Sequence, residues 1–240
     1  MEQQHVCLVC GYNMVGYLPD NCPFCGASNK NFITADECTR RFSVVPTPVK
    51  ENVTRLNSSP SLGLEHAAYR IKAGEATYMI DCPSTFDPSI QPPDHLIFTH
   101  HHFLGASNLY RSELGARVRI HRQDSDNELT KGFVFDDLFD RGFAENGLEA
   151  YPIDGHTPGF TFYLYEDVLF ICDYIFMKEG QVRTFNRFGP ADKTAASGQR
   201  LLDLLSGRTI NTVCGYNYVT EFQGWIKGVE GLLGGNHRTR

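Results

Sequence analysis

Four cysteines in two C-x-x-C pairs, Cys7/Cys10 and Cys22/Cys25, constrain this chain more than any other feature. In "CLVCGYNMVGYLPDNCPFCGA" the two thiolates of each pair can turn onto one ion. The glycine after the second cysteine, Gly11 or Gly26, permits the tight turn. Four thiolates form a soft tetrahedral site that suits iron or zinc. A segment of about 35 residues buries too little apolar surface to fold alone, so the metal must supply much of its folding free energy. The other four cysteines, Cys38, Cys82, Cys172 and Cys214, are scattered. They read best as small buried hydrophobes and not as disulfides; a second cluster is the alternative, with no spacing to support it.

The chain has 240 residues, enough for one large domain and a small module. With 41% hydrophobic and 21% charged residues it can bury a packed core. A net charge of −6 argues against a broad nucleic-acid surface. No apolar run approaches the roughly 18–20 residues of a membrane span. "MEQQHVCLVCGY" has neither the basic start nor the apolar centre of a signal peptide. The expectation is a soluble, cytoplasmic protein.

"VVPTPVKENVTRLNSSPS" is rich in Pro, Ser and Asn and reads as extended chain. This divides the sequence into a metal module (1–35), a linker (36–52) and a large domain (53–240). The large domain is strand-rich. "HAAYRI" and "ATYMID" flank the turn "KAGE" as a hairpin, and "HLIFT", "RVRIH", "FTFYLY", "VLFIC" and "INTVC" follow as strands. "ASNLYRSEL", "TAASGQRLLDLL" and "TEFQGWIKGVEGLL" read as helices. The second sets Leu201, Leu202 and Leu205 on one face; the third does the same with Phe222, Trp225, Ile226, Val229 and Leu233. Such a mixture predicts an α+β fold of sheets covered by helices.

Three short elements carry candidate chemistry. In "THHHFLGA" the apolar "HLIF" leads into His100, His101 and His102. At a strand end, residues i and i+2 point the same way, so His100 and His102 can share an ion while His101 turns elsewhere. In "DGHTPGF", His156 precedes a Thr-Pro-Gly turn. In "VLFICDYIF", Asp173 ends an apolar strand, where a carboxylate needs a partner or a metal. His66, His95 and His121 lie outside any motif and read as ordinary structural histidines, and Cys82 in "IDCPS" as buried.

The words "CGY", "CPFCGA" and "KNF" resemble the rubredoxin family, in the compact form found in rubrerythrins. The likeness implies one iron or zinc on Cys7, Cys10, Cys22 and Cys25, with Tyr12, Phe24 and Phe32 packing round it. A rubredoxin-type iron site passes one electron and does no substrate chemistry. The three elements of the large domain, in their order, resemble the metallo-β-lactamase superfamily and imply its αββα sandwich. Thr99, His100 and His102 match its opening T-H-x-H-x-D-H motif, His156 its third-motif histidine and Asp173 its bridging aspartate. The later Asp and His of the opening motif are missing: either both are deleted after Phe103, and Leu104-Gly105-Ala106 match the motif's tail, or, read without a gap, Leu104 and Gly105 replace them. In "VCGYNY", Tyr216, with Asn217 beside it, stands where the last histidine belongs.

The resemblance thus implies an intact first metal position and a degenerate second one. At most one iron or zinc is expected, on His100, His102, His156 and Asp173, with Arg183 in "GQVRTF" as an anion contact. Three histidines with an open position suit catalytic zinc; His100, His156 and Asp173 form a 2-His-1-carboxylate set that suits non-haem iron. The expected function is a redox-linked metalloprotein, oxidoreductase or hydrolase-like, meeting a redox protein or a small-molecule substrate. No flavin domain accompanies it. The alternative is a non-catalytic redox or assembly protein that uses the degenerate domain for docking.

Overall fold

The computed structural model describes residues 3–64 and 66–235; the outermost residues of the expected first and last segments lie outside these. The chain forms two compact units, Met1–Phe139 and Asp140–Arg240. In the first unit, strands β1 (Gln4–Cys7), β2 (Asn13–Val15) and β3 (Phe32–Thr34) make a small antiparallel sheet with β1 in the centre. Its residues are packed round the cysteines: Cys7, Cys10, Tyr12, Met14 and Cys22 share one buried cluster with Phe24, Phe32 and Leu129 against it.

The stretch expected as a linker, 36–52, is instead ordered secondary structure. Helix α1 (Ala35–Arg41) starts at Thr34, whose hydroxyl accepts a hydrogen bond from the Glu37 amide. Asp36 and Glu37 sit in its first turn and Arg40 and Arg41 in its last, each matched to the helix dipole. The Thr-x-x-Glu signal of a helix start was therefore in the sequence. Strand β4 (Ser43–Lys50) then pairs antiparallel with β5 (Val53–Ser59). β4 is the sheet edge, where Pro46 and Pro48 can be tolerated because one side of the strand needs no ladder donors.

The main sheet of this unit has seven strands. After β5 come the hairpin β6 (Ala68–Ala73) and β7 (Ala76–Ile80), turned at Gly74, then β8 (His95–Ile97). Helix α2 (Ser107–Leu114), β9 (Arg117–His121), the one-turn helix α3 (Arg122–Ser125) and β10 (Asp137–Phe139) complete it. The order is β10-β9-β8-β7-β6-β5-β4: antiparallel from β4 to β7, parallel from β7 to β10. Strand β8 therefore delivers Thr99 and His100 at a carboxyl end of the parallel half. Leu56, Met79, Leu96, Phe98, Leu104, Tyr110 and Val118 form part of the core on this sheet.

In the second unit, β11 (Phe143–Glu145), β12 (Leu148–Pro152), β13 (Thr161–Tyr165) and β14 (Val168–Cys172) run as an antiparallel meander. A hairpin, β15 (Ile175–Lys178) and β16 (Gln181–Phe185), leads to helix α4 (Ala191–Leu205). Then β17 (Thr212–Gly215) joins β14 in parallel, β18 (Val219–Glu221) covers the edge, and α5 (Phe222–Gly235) follows. The expected helix faces are the ones used. Leu201, Leu205, Phe222, Trp225 and Val229 are buried with Phe162, Leu164, Leu169 and Ile171 of the sheet; Leu202, Ile226 and Leu233 pack at the margin. Each large side chain buried in this way contributes about 1.5–3 kcal/mol of transfer free energy.

Candidate metal centres

The four N-terminal cysteines meet. Gly11 (φ +80°) and Gly26 (φ +76°) take the left-handed conformation that turns each knuckle, and their amides donate to the Cys7 and Cys22 carbonyls at 2.7 and 2.8 Å. Cys7 Sγ lies 3.8 Å from Cys25 Sγ, and Cys10 Sγ 3.6 Å from Cys22 Sγ. All four sulfurs lie within 4.8 Å of one another. A tetrahedron with metal–sulfur bonds of about 2.3 Å has edges of about 3.8 Å, so the spacing fits one ion. Burial pushes the Cys7 thiol up to about 11. The hydrogen bond between Cys10 and Cys22, with burial adding to it, raises Cys10 further; the same hydrogen bond lowers Cys22 to about 5 against the opposing effect of burial. Gathering such groups favours a cation that replaces their protons. Cys25 is exposed and the other three are buried. The expected aromatics surround the centre: Tyr12 stacks on Phe24 at 6.0 Å and gives its hydroxyl to the Leu129 carbonyl, and Phe32 packs alongside.

In the same unit, strand pairing stops at Ile97, and His101–Phe103 form a single 3-10 turn. The orientation of the three histidines thus comes from a turn and not from strand alternation. His100 and His102 have ring centroids 4.6 Å apart. His101 is drawn to the fully buried Asp124, which lies 3.3 Å from its Nδ1 and accepts its amide. His100 is fully buried and His102 half-buried. Thr99 Oγ1 lies 2.9 Å from His100 Nδ1, while the Asp81 carboxylate accepts both the Thr99 amide and its hydroxyl at 2.9 Å. This relay engages Nδ1 and fixes the ring, a common way of orienting an imidazole. Asp81 was not singled out from the sequence. Its signal was a carboxylate closing the apolar strand "YMID", as Asp173 closes "VLFICD".

With the motif read without a gap, the positions of the missing ligands are closed. Leu104 is in the core at 1% exposure. Gly105 (φ +49°) is wedged against the preceding loop. A Cβ there would overlap the Cys82 and Pro83 carbonyl oxygens and lie 2.8 Å from the Pro83 carbonyl carbon. An imidazole at this position, where the motif's later histidine falls, has no room.

In the second unit, Asp154 (φ +62°) and Gly155 (φ +106°) turn the chain into His156. Cys172, at φ +46°, ends β14 in a left-handed kink before Asp173. Two such non-glycine residues beside candidate ligands are local strain of the kind that collects at functional sites. His156 Nε2 lies 3.7 Å from Asp173 Oδ1. Asn186, fully buried, donates its amide to Asp173 Oδ2 at 2.8 Å, sits 3.3 Å from His156 Nε2, and accepts the Phe188 amide. Burial raises the Asp173 carboxyl above its usual range, against the pull of His156. Asn186 also escaped the sequence reading; one Asn in "TFNRF" carries little signal by itself. Tyr216 is half-buried, its ring edge-on to Phe176 and its amide on the Cys172 carbonyl; Asn217 is exposed. Arg183 lies on the exposed side of β16, 3.6 Å from Glu179, with which it pairs along the hairpin.

The remaining candidates have structural partners. His66 stacks on Phe103 at 3.8 Å and reaches the Cys82 carbonyl. His95 stacks on Tyr78, and His121 accepts the Gln123 amide at the start of α3. Cys38, Cys82, Cys172 and Cys214 are buried as expected.

Residues 5–33 match the family model of the rubrerythrin, rubredoxin-like domain. The chain is also similar to solved structures. A metallo-β-lactamase from Pontibacter korlensis is 17% identical, with 80% of this chain and 99% of that one covered at a TM-score of 0.64. The metallo-β-lactamase FIM-1 from Pseudomonas aeruginosa, in its mono-zinc form, is 13% identical, with 82% and 97% covered at 0.64. VMB-1 is 15% identical, with 81% and 98% covered at 0.63. The fold is that of the metallo-β-lactamases. At these identities the likeness is one of fold. No curated protein matches the chain in sequence. The chain is thus a metalloprotein that joins a rubredoxin-like module to a metallo-β-lactamase fold. Among the described residues no helix is long and apolar enough to cross a membrane.

Proposed function

We propose that this protein is a redox metalloprotein with two metal ions: one on Cys7, Cys10, Cys22 and Cys25, and one, iron or zinc, shared by His100, His102, His156 and Asp173. The observation that carries this reading is the closure at Gly105, where, with the motif read without a gap, the Cys82 and Pro83 carbonyls fill the space the second-position histidine would need. Leu104 in the core and Tyr216 in place of the last histidine point the same way. The first-position donors, three imidazoles and one carboxylate, are all retained and suit a single ion. An ion there supplies a Lewis-acidic centre and, if it is iron, a one-electron centre.

The chain's own residues do the positioning. Asp81 and Thr99 hold His100 by its Nδ1, and Asn186 holds Asp173 by its Oδ2. His101 is kept away by Asp124. The rubredoxin-like module favours redox work over hydrolysis, because a one-electron carrier has no part in adding water to a substrate. We take the partner of the module to be a one-electron donor protein, and the substrate of the other site to be a small molecule.

Metal analysis tests this reading. Purified protein should hold two ions per chain. Asp173→Ala should lose one and keep the thiolate-bound ion; Cys22→Ser should do the reverse. One ion in the wild type, or three, refutes it.

A further inference from the structure

We propose that Phe24 and His102 form the electron path from the thiolate centre to the ion at His100 and His102. The inference rests on the two-ion reading above and adds the route between the sites. Phe24 lies inside the second knuckle, between the ligands Cys22 and Cys25. Its ring stands edge-on to His102, with centroids 5.4 Å apart at 66°. The His102 ring stands edge-on to His100 at 4.6 Å. On its other side Phe24 is stacked at 11° on Tyr12, which is buried in the cysteine cluster and fixes the ring. Knuckle, aromatic ring and imidazoles therefore form one continuous van der Waals chain within the first unit.

The junction is tight. The gap among Cys10, Tyr12, Phe24, His66, Ser84 and His102 is about 10 Å³, at the lower limit for even one water. Close backbone packing holds the module in place there. A side chain on Gly11 would meet Ser84 Oγ at 2.6 Å, and one on Gly63 would meet the Cys10 backbone at 2.8 Å. Asn13 of the module also donates to the Ser84 carbonyl at 3.1 Å. A module that served only as a structural staple would need no aromatic aimed at a candidate ligand of the other site.

The step is a single-electron transfer with no bond made or broken. A ferrous thiolate centre gives up one electron and becomes ferric; a ferric ion at His102 takes it and becomes ferrous. An external one-electron donor protein then returns the thiolate centre to the ferrous state.

The test uses the full chain loaded with iron, with metal content measured on the same sample. A light-triggered one-electron reductant is given in less than one equivalent, and the visible absorption of the ferric thiolate centre is followed with time. In the wild type, bleaching should be followed by recovery in a first-order phase whose rate does not depend on protein concentration. Phe24→Tyr should keep that phase. Phe24→Leu, which fills similar space without a π-system, should lose it while keeping both irons. An unchanged phase in Phe24→Leu overturns the path. A wild type with two irons and no such phase overturns it too and leaves the two-ion reading standing. A wild type with thiolate iron alone overturns both. Should Phe24→Leu lose its thiolate iron, the wild type decides by electron paramagnetic resonance. The ferric thiolate signal should relax faster when the His102 ion is paramagnetic than when that site holds zinc. Equal relaxation overturns the path.

Discussion

Replacing Gly105 by alanine should destabilise the protein through two separable terms. The first is conformational. Gly105 sits at φ +49°, where an L-residue with a Cβ costs about 1–2 kcal/mol. The second is steric: the new Cβ overlaps two backbone carbonyls of the Cys82–Pro83 loop, which cannot swing aside like the end of a flexible side chain. Overpacking of this kind costs about 1–3 kcal/mol. The sum, about 2–5 kcal/mol, is a large fraction of an ordinary folding free energy of about 5–15 kcal/mol. Gly74 supplies the control. It has φ +62° in the β6–β7 hairpin, but a Cβ there meets nothing within 4 Å, so Gly74→Ala carries the conformational term alone. With a urea slope of about 2 kcal/mol per molar, Gly105→Ala should lower the midpoint by about 1–2.5 M, and Gly74→Ala by about 0.5–1 M. Far-UV circular dichroism follows the whole chain; fluorescence of the single Trp225 reports the second unit and should respond less. Gly105→His should be at least as unstable and should bind no additional metal. Equal midpoints for the two alanine variants, or an extra ion in Gly105→His, would refute the claim that packing has closed the second position.

Two other perturbations probe the surroundings of the histidines. Asp81→Ala removes the carboxylate that holds Thr99 and, through it, His100. Binding of the ion at His100 should weaken about 10–100-fold in a metal titration, as for other lost orienting partners. The thiolate spectrum should not change, and unaltered affinity would remove Asp81 from the site. His66 gives a pH signature. Full burial lowers its pKa from 6.5 to about 3, with the Cys82 carbonyl opposing weakly. The folded state therefore stays neutral where the unfolded state takes a proton. Stability is unaffected above pH 6.5 and falls as pH drops from there towards 3, by about 2 kcal/mol at pH 5. His66→Gln should flatten urea midpoints across that window; an undiminished slope would assign it to other groups.

The sequence alone determined what depends on near neighbours along the chain. Cys-x-x-Cys followed by glycine is a closed local turn, so Cys7, Cys10, Cys22 and Cys25 could be assigned to one centre from spacing. The faces of α4 and α5 and the strand-end positions of His100, His156 and Asp173 follow in the same way from periodicity and from where apolar runs stop. The helix α1 was equally local, through Thr34 and Glu37, but the prolines of the next strand drew the reading toward a linker; only pairing with β5 reveals Pro46 and Pro48 as edge residues. Tertiary structure decided everything that joins distant segments. Asp81 reaches Thr99 across 18 positions and Asn186 reaches Asp173 across 13. Gly105 is fixed by a loop that arrives from the preceding strand, and Phe24 meets His102 only because the module is packed against the loops at Gly63, Ser84 and Leu129. No local spacing encodes such contacts. They arise when the hydrophobic core brings strands and loops together, and the same packing that aims His100 leaves no room beside Gly105 for the ligand of a second ion.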